Sequence, residues 1–248
     1  MKDIYVITVA RNEEKILPFF LDHYSTFADK IIVADNNSSD HTAKIARTYE
    51  KVEYQNIGNV QFDDLTKNGL QNEVIAAHRK PGRWMIVVDT DEFIHLPVGD
   101  IREWFETIDP MQVFLKPQGF QMVASSFPEY TGKPIFEMVK EGFHDPGFSK
   151  PCIFDSEFEI MQAPGFHSAM MNYHGNMIHP TQCDLFLLHY KFLGLKHRLE
   201  RIRNTKINLS EVGTVLAQKE IIGTQILSNE KRLTDEFNTF WDKRTKVL

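Results

Sequence analysis

Trp84-Met85-Ile86-Val87-Val88 runs directly into Asp89-Thr90-Asp91-Glu92, and this stretch decides the fold. An apolar run rich in β-branched residues reads as a buried strand. Two carboxylates one residue apart at the end of such a strand are costly to desolvate unless something neutralises them. A divalent cation held between them and a diphosphate would do so. Oxygen ligands suit Mg2+ or Mn2+, and such ions usually share their shell with substrate phosphates. Asp89 and Asp91 are therefore candidate metal ligands. The plainer reading is a pair of solvated carboxylates capping a turn.

Upstream of this strand the chain alternates strand and helix. Ile4–Val9 is a β-branched run, and Glu13–Phe27 has helical apolar spacing through Ile16, Leu17, Phe20, Leu21 and Tyr24. Lys30–Ala34 reads as a strand that ends in the turn-forming cluster Asp35-Asn-Asn-Ser-Ser-Asp40. Thr42–Tyr49 reads as a helix, Val52–Gln55 as a weak strand, Leu65–His78 as a helix and Arg83–Val88 as the next strand. This alternation predicts an α/β fold with a parallel, right-handed, doubly wound sheet. Ligands of such sheets bind beyond the carboxyl ends of the strands. Arg11-Asn12-Glu13, Asp35-Asn36-Asn37 and Asp89-Thr90-Asp91 all fall there and are expected to converge.

After Asp100 the pattern loosens. Val113–Lys116 reads as a strand, Gln118–Gly147 as irregular, and Pro151–Phe154 with Phe158–Met161 as a short hairpin around Asp155-Ser-Glu157. Asp184–Tyr190 is another strand candidate, and from Leu193 the chain reads as helical and highly charged.

Composition narrows the function classes. The 248 residues are 42% hydrophobic and 25% charged, which is ordinary for a globular chain with one substantial core. A net charge of −6 argues against a nucleic-acid partner. Cys152 and Cys183 have no metal or redox spacing and read as free thiols in a reducing compartment. The N-terminus is interrupted too early for a signal peptide, and no apolar stretch approaches the ~20 residues that span a bilayer. A cytoplasmic location is expected, with peripheral association at a membrane's cytosolic face as the variant.

Val9-Ala-Arg-Asn-Glu-Glu14, Asp35-Asn-Asn-Ser-Ser-Asp40-His-Thr42 and Val88-Asp-Thr-Asp-Glu92, in this order on a β/α alternation, resemble the family 2-like glycosyltransferases of GT-A fold. Phe148-Ser-Lys-Pro-Cys-Ile-Phe154, Pro164-Gly-Phe-His167 and Leu187-Leu-His-Tyr-Lys191 resemble the branch that opens with an R-N-E turn. The resemblance covers residues 3–98, continues more loosely to about 203 and stops there. It implies a GT-A domain over 1–203, with a nucleotide-binding half (1–100) and an irregular acceptor-side half (101–203). Residues 204–248 are then a helical C-terminal appendage.

The implied activity is inverting, metal-dependent transfer of a sugar from a nucleoside diphosphate, with UDP favoured. The acceptor is a hydroxyl on a glycan, glycolipid or glycoprotein glycan, and the cofactor is Mn2+ or Mg2+. Ala10 and Arg11 would approach the nucleotide, and Asp35 would take a ring N–H of the base. Asn72 matches the Asn of the family's R-N element, although Gln71 stands in place of the Arg. Asp89 would contact ribose or metal, Asp91 would ligate the metal, and His189 matches the third protein ligand.

Charge builds on the leaving diphosphate during such a transfer, so cations beside it are needed. Lys150, His167 and Lys191 are the candidates. A general base must face the acceptor hydroxyl. The family's acidic dyad is not recognisable; Glu137, Glu141, Asp145, Asp155 and Glu157 are the candidates, with Asp145 favoured for its Gly/Pro-rich loop before Lys150. His167, His174, His179 and Cys183 match no zinc spacing.

Leu233, Phe237, Phe240 and Trp241 have helical spacing, expected to pack on the domain or on a second subunit of a homodimer. Two rivals stand beside the transferase. One is a non-catalytic sugar-nucleotide or glycan-binding module. The other is a D-x-D phosphatase, disfavoured because its Asp belongs on the first core strand and Phe93 stands where Thr or Val is usual.

Overall fold

The computed structural model describes residues 2–58, 64–163, 167–200 and 231–248. The predicted alternation is present as β1 (Asp3–Ala10), α1 (Leu17–Ser25), β2 (Lys30–Asp35), α2 (Thr42–Ala46), β3 (Val52–Asn56), α3 (Asp64–His78) and β4 (Arg83–Val87). β5 (Glu92–His95) and α4 (Ile101–Thr107) follow, then β6 (Phe114–Ala124), α5 (Ile135–Met138) and β7 (Glu141–His144). After a 3-10 turn at Pro146–Phe148 come β8 (Ile153–Asp155), β9 (Glu159–Gln162), β10 (Ala169–Tyr173), β11 (Asn176–Ile178), β12 (Thr181–Leu193) and β13 (Thr245–Lys246). Residues 195–200 and 231–243 are helical. The expected appendage lies outside the described residues as far as residue 230, as do Pro164, Gly165 and Phe166 of the matched segment.

The chain divides into two compact units. The first comprises 1–120, 130–134 and 144–189; the second comprises 121–129, 135–143 and 190–248.

In the first unit the sheet order is β6-β8-β4-β1-β2-β3. β1 is parallel to both β2 and β4, and β2 is parallel to β3. This is the largely parallel sheet flanked by helices that the alternation requires. β8 runs antiparallel between β4 and β6. Ile7, Val9, Ile32, Ala34, Met85 and Val87 form one buried face, with Val74 and Ile75 of α3 packed on it. On α1, Phe20 and Tyr24 meet Phe93 of β5, with ring centroids 6.0 and 6.3 Å away. Burying each such side chain is worth about 1.5–3 kcal/mol.

Three local readings are corrected. α1 begins at Leu17 rather than Glu13, because Pro18 occupies the first turn and residues 11–16 form a separate loop. α2 ends at Ala46 rather than Tyr49. The hairpin around Asp155–Glu157 does not form. β8 joins the central sheet, whereas β9 pairs with β10 in a separate three-stranded sheet ordered β11-β10-β9. The burial pattern explains this. Ile153, Phe154 and Asp155 are all buried, as a strand flanked on both sides requires, while β9 alternates half-buried and exposed residues.

In the second unit β7 lies between β13 and the end of β6. Val123, Phe192 and Phe237 form a small core, with Phe143, Leu195, Phe240 and Trp241 packed against it. The Leu233–Trp241 pattern is therefore a helix whose Leu233 and Phe237 are buried within this unit. Among the described residues no helix is long and apolar enough to cross a membrane.

Candidate active site

The Asp-Thr-Asp-Glu turn is held from two sides. The Tyr24 hydroxyl of α1 donates to the Glu92 carbonyl and accepts from the Ile94 N–H, both at 3.0 Å. His23, on the same helix, lies 2.8 Å from the Ile94 carbonyl through Nε2. Burial pushes the His23 imidazole down to about 4, so it is neutral at pH 7 and this nitrogen is the donor. The turn closes on itself: the Asp89 N–H donates to Glu92 Oε2 and the Glu92 N–H to the Asp89 carbonyl, each at 3.0 Å.

Glu92 accepts from Lys150 through its other oxygen, and both side chains are at most 4% exposed. Burial pulls the Lys150 amine down, but Glu92 and Asp89 outweigh it, so the amine is raised and stays cationic. Its Nζ is 3.9 Å from Asp89 Oδ2 and 4.8 Å from the Phe148 ring centroid. The Phe148 ring stacks on His189, with centroids 3.9 Å apart and an interplanar angle of 11°. His189 lies opposite Glu92 in the β5–β12 register and places Nε2 3.7 Å from Asp91 Oδ1. The exposed His167 meets the other side of this group, edge-on to Phe148 at 5.6 Å, with Nδ1 3.3 Å from the Gly147 carbonyl.

Lys150, His167 and His189 thus meet one aromatic ring, Phe148, with Asp89 beside Lys150 and Asp91 beside His189. Asp145 is close in sequence but has a structural duty, since its Oδ1 accepts from the Gly147 N–H at 3.1 Å and caps the 3-10 turn. Glu92 and Phe148 were not singled out in the sequence, although each adjoins or lies within a quoted motif. Their signals were an acid directly after D-T-D and an aromatic two residues before the lysine.

The loops that follow β1 and β2 are bonded to each other. Asn12 adopts φ 56°; its N–H donates to Ser38 Oγ at 2.9 Å and its side-chain oxygen accepts from the Ser39 N–H at 2.8 Å. The Glu13 N–H donates to Thr42 Oγ1 at 2.7 Å. Ala10 is fully buried and pairs with Asp35 in register, and the half-buried Arg11 follows it. Asp35 is only 1% exposed. Its Oδ1 accepts from the N–H (3.0 Å) and hydroxyl (2.5 Å) of Ser38, and its Oδ2 accepts from the Tyr54 hydroxyl at 2.7 Å. Asn72 is exposed on α3 and accepts from Gln162 of β9 at 2.9 Å. Lys191 belongs to the second compact unit.

Among the described residues no group of three or more His, Cys, Asp or Glu side chains is gathered for a metal. Asp91 and His189 do form a carboxylate–imidazole pair. Mg2+-type ions commonly take one or two protein carboxylates and complete their shell with substrate phosphates and water. The donor chemistry therefore fits an ion shared with a diphosphate rather than an all-protein cage.

Residues 5–110 match the family described as Glycosyl transferase family 2. No curated protein matches the chain. Solved structures are similar at low identity. Staphylococcus aureus TarS 1–349 shares 13% identity at TM-score 0.43, over 91% of this chain and 70% of that one. Glucosyl-3-phosphoglycerate synthase of Mycobacterium tuberculosis, solved with Mn2+, UDP and glucosyl-3-phosphoglycerate, shares 18% identity at TM-score 0.34, over 48% of this chain and 44% of that one. A 4-diphosphocytidyl-2C-methyl-D-erythritol synthase shares 11% identity at TM-score 0.39, over 63% and 76% of the two chains. The match over residues 5–110 and the largely parallel α/β sheet flanked by helices are consistent with a GT-A (Rossmann-like) fold.

Proposed function

We propose that this chain is an inverting glycosyltransferase that moves a sugar from a nucleoside diphosphate, UDP by preference, to a hydroxyl of a glycan or glycoconjugate. One observation carries the reading. Asp89 and Asp91, at the end of β4, share a site with a buried cation, Lys150, and with His189. Asp91 and His189 would hold Mn2+ or Mg2+, with Asp89 directed to the same ion or to the ribose. The ion, when bound, offsets negative charge on the leaving diphosphate.

The protein's own groups do the rest. Lys150 is a buried positive charge, and its pairing with Glu92 and nearness to Asp89 raise its amine and favour the protonated form. A preset cation of this kind stabilises charge that appears only as the glycosidic bond breaks. His167, exposed and edge-on to Phe148, would add a further polar group beside the leaving diphosphate. Asp145 is the proposed base for the acceptor hydroxyl, with the turn it caps fixing its backbone. Ala10, Arg11 and Asp35 would line the nucleotide, and Asn72 would contact its phosphate or ribose.

The test is release of nucleoside diphosphate from a panel of sugar nucleotides with Mn2+, with and without mixed glycan acceptors. Acceptor-dependent release that disappears in Asp91→Asn supports the reading. Nucleotide binding with no release under any acceptor would instead favour the non-catalytic module.

A further inference from the structure

Asp35 is the expected reader of the nucleobase, yet its carboxylate is 1% exposed and already bonded on both oxygens. The donor on Oδ2 is the hydroxyl of Tyr54, from the neighbouring strand β3, at 2.7 Å. Its ring is half-buried and carries the exposed Arg47 guanidinium on its face, 4.0 Å from the centroid. Burial first, and the Asp35 carboxylate second, push the Tyr54 phenol up, so it remains a donor.

We propose that Tyr54 is a specificity-determining residue that stands in for the nucleobase: its hydroxyl holds Asp35 Oδ2 until a base with a ring N–H displaces it. This rests on the glycosyltransferase reading and deepens it. An ionised carboxylate only accepts, and leaving one buried without a donor costs far more than the exchange of one donor for another. Uracil, thymine and guanine present a ring N–H and replace the phenol like for like. Cytosine and adenine present a ring lone pair at that position and would leave Asp35 facing an acceptor. Tyr54 is half-buried, and the group on its ring face is the exposed Arg47 guanidinium. Ser38 on Oδ1 keeps the carboxylate aimed while the other oxygen changes partner.

This assignment predicts the sign of an effect. If Tyr54 merely supported Asp35, Tyr54→Phe would weaken nucleotide binding. As a displaceable stand-in, its removal deletes a competitor, and UDP binds more tightly in Tyr54→Phe by about two- to twelvefold, the equivalent of one net hydrogen bond. Binding is measured by calorimetry with UDP and CDP in the wild type, Tyr54→Phe and Asp35→Asn. The expected set is UDP preferred over CDP in the wild type, tighter UDP in Tyr54→Phe, and weakened UDP in Asp35→Asn. Unchanged or weaker UDP binding in Tyr54→Phe overturns the proposal while leaving the donor site standing. Failure of the wild type to bind any nucleoside diphosphate overturns both readings.

A second measurement does not depend on the variant folding. In unaltered protein with 13C-labelled tyrosine, the Tyr54 Cζ resonance moves when UDP is added, because the hydroxyl leaves a carboxylate. A resonance that stays in place at saturating UDP overturns the proposal.

Discussion

Lys150 donates to the Glu92 carboxylate with both side chains withdrawn from solvent, and this pair joins the Asp-Thr-Asp turn to the 146–150 segment. A buried pair of this kind is seldom retained for stability alone, since an apolar pair of similar volume often does as well. Removing one partner is another matter. Lys150→Met and Glu92→Leu are each expected to cost about 3–5 kcal/mol, because each strands a buried charge. The double variant should recover most of that loss. Urea unfolding of the four proteins checks the cycle; a double variant as unstable as the sum of the singles would contradict it.

His23 makes stability depend on pH. Its imidazole titrates near 6.5 when unfolded and at about 4 when folded, so the unfolded chain binds more protons between those values. Its contribution is complete above about pH 6.5, is lost as pH falls towards 4, and amounts to at most about 3–4 kcal/mol at 1.36 kcal/mol per unit. Denaturant titrations between pH 4 and 7 should show this slope. His23→Gln, which keeps a donor for the Ile94 carbonyl, should flatten it.

Gly119 permits the close approach that places Phe148. A Cβ there would lie 2.4 Å from the Phe148 carbonyl carbon and 2.6 Å from the Ser149 nitrogen, both backbone atoms. Gly119→Ala is expected to destabilise by about 1–3 kcal/mol or more and to displace the turn carrying Phe148 and Lys150. Sugar-nucleotide turnover should fall further than stability at the assay temperature explains.

Phe148→Leu tests the aromatic support of His189. Apolar bulk is kept but the 3.9 Å stack is lost. An aromatic pair is worth about 0.5–1.5 kcal/mol, so roughly two- to twelvefold weaker metal-dependent nucleotide binding is expected. Binding measured with EDTA should not change.

What was readable in the sequence, and what was not, has a physical basis. β1, β2 and β4 stood out because their buried runs end in polar clusters, whereas β3, half-buried along most of its length, gave only a weak signal. α4 was missed although Asp100 caps it through bonds to the Arg102 and Glu103 N–H groups at 2.7 and 3.0 Å. Its mixed charges and the single buried residue Phe105 give little periodic signal. β6 was read as four residues because Pro117 and Gly119 interrupt the pattern, yet the strand continues through both to Ala124. Asp89, Asp91, Lys150 and His189, named from strand-end position, residue type and the family resemblance, do lie near one another in the structure. Glu92 and Tyr54 were not so named, because their importance lies in contacts 58 and 19 residues away in the chain.

The central claim is tested most directly by thermal melting with UDP, GDP, dTDP and CMP, each in Mn2+ and in EDTA. A ligand at ~100 times its Kd that binds only the folded state adds about 2.7 kcal/mol, which is easily seen as a shift in Tm. The account predicts a metal-dependent rise with UDP that is lost in Asp91→Asn. Equal melting in all eight conditions would contradict it.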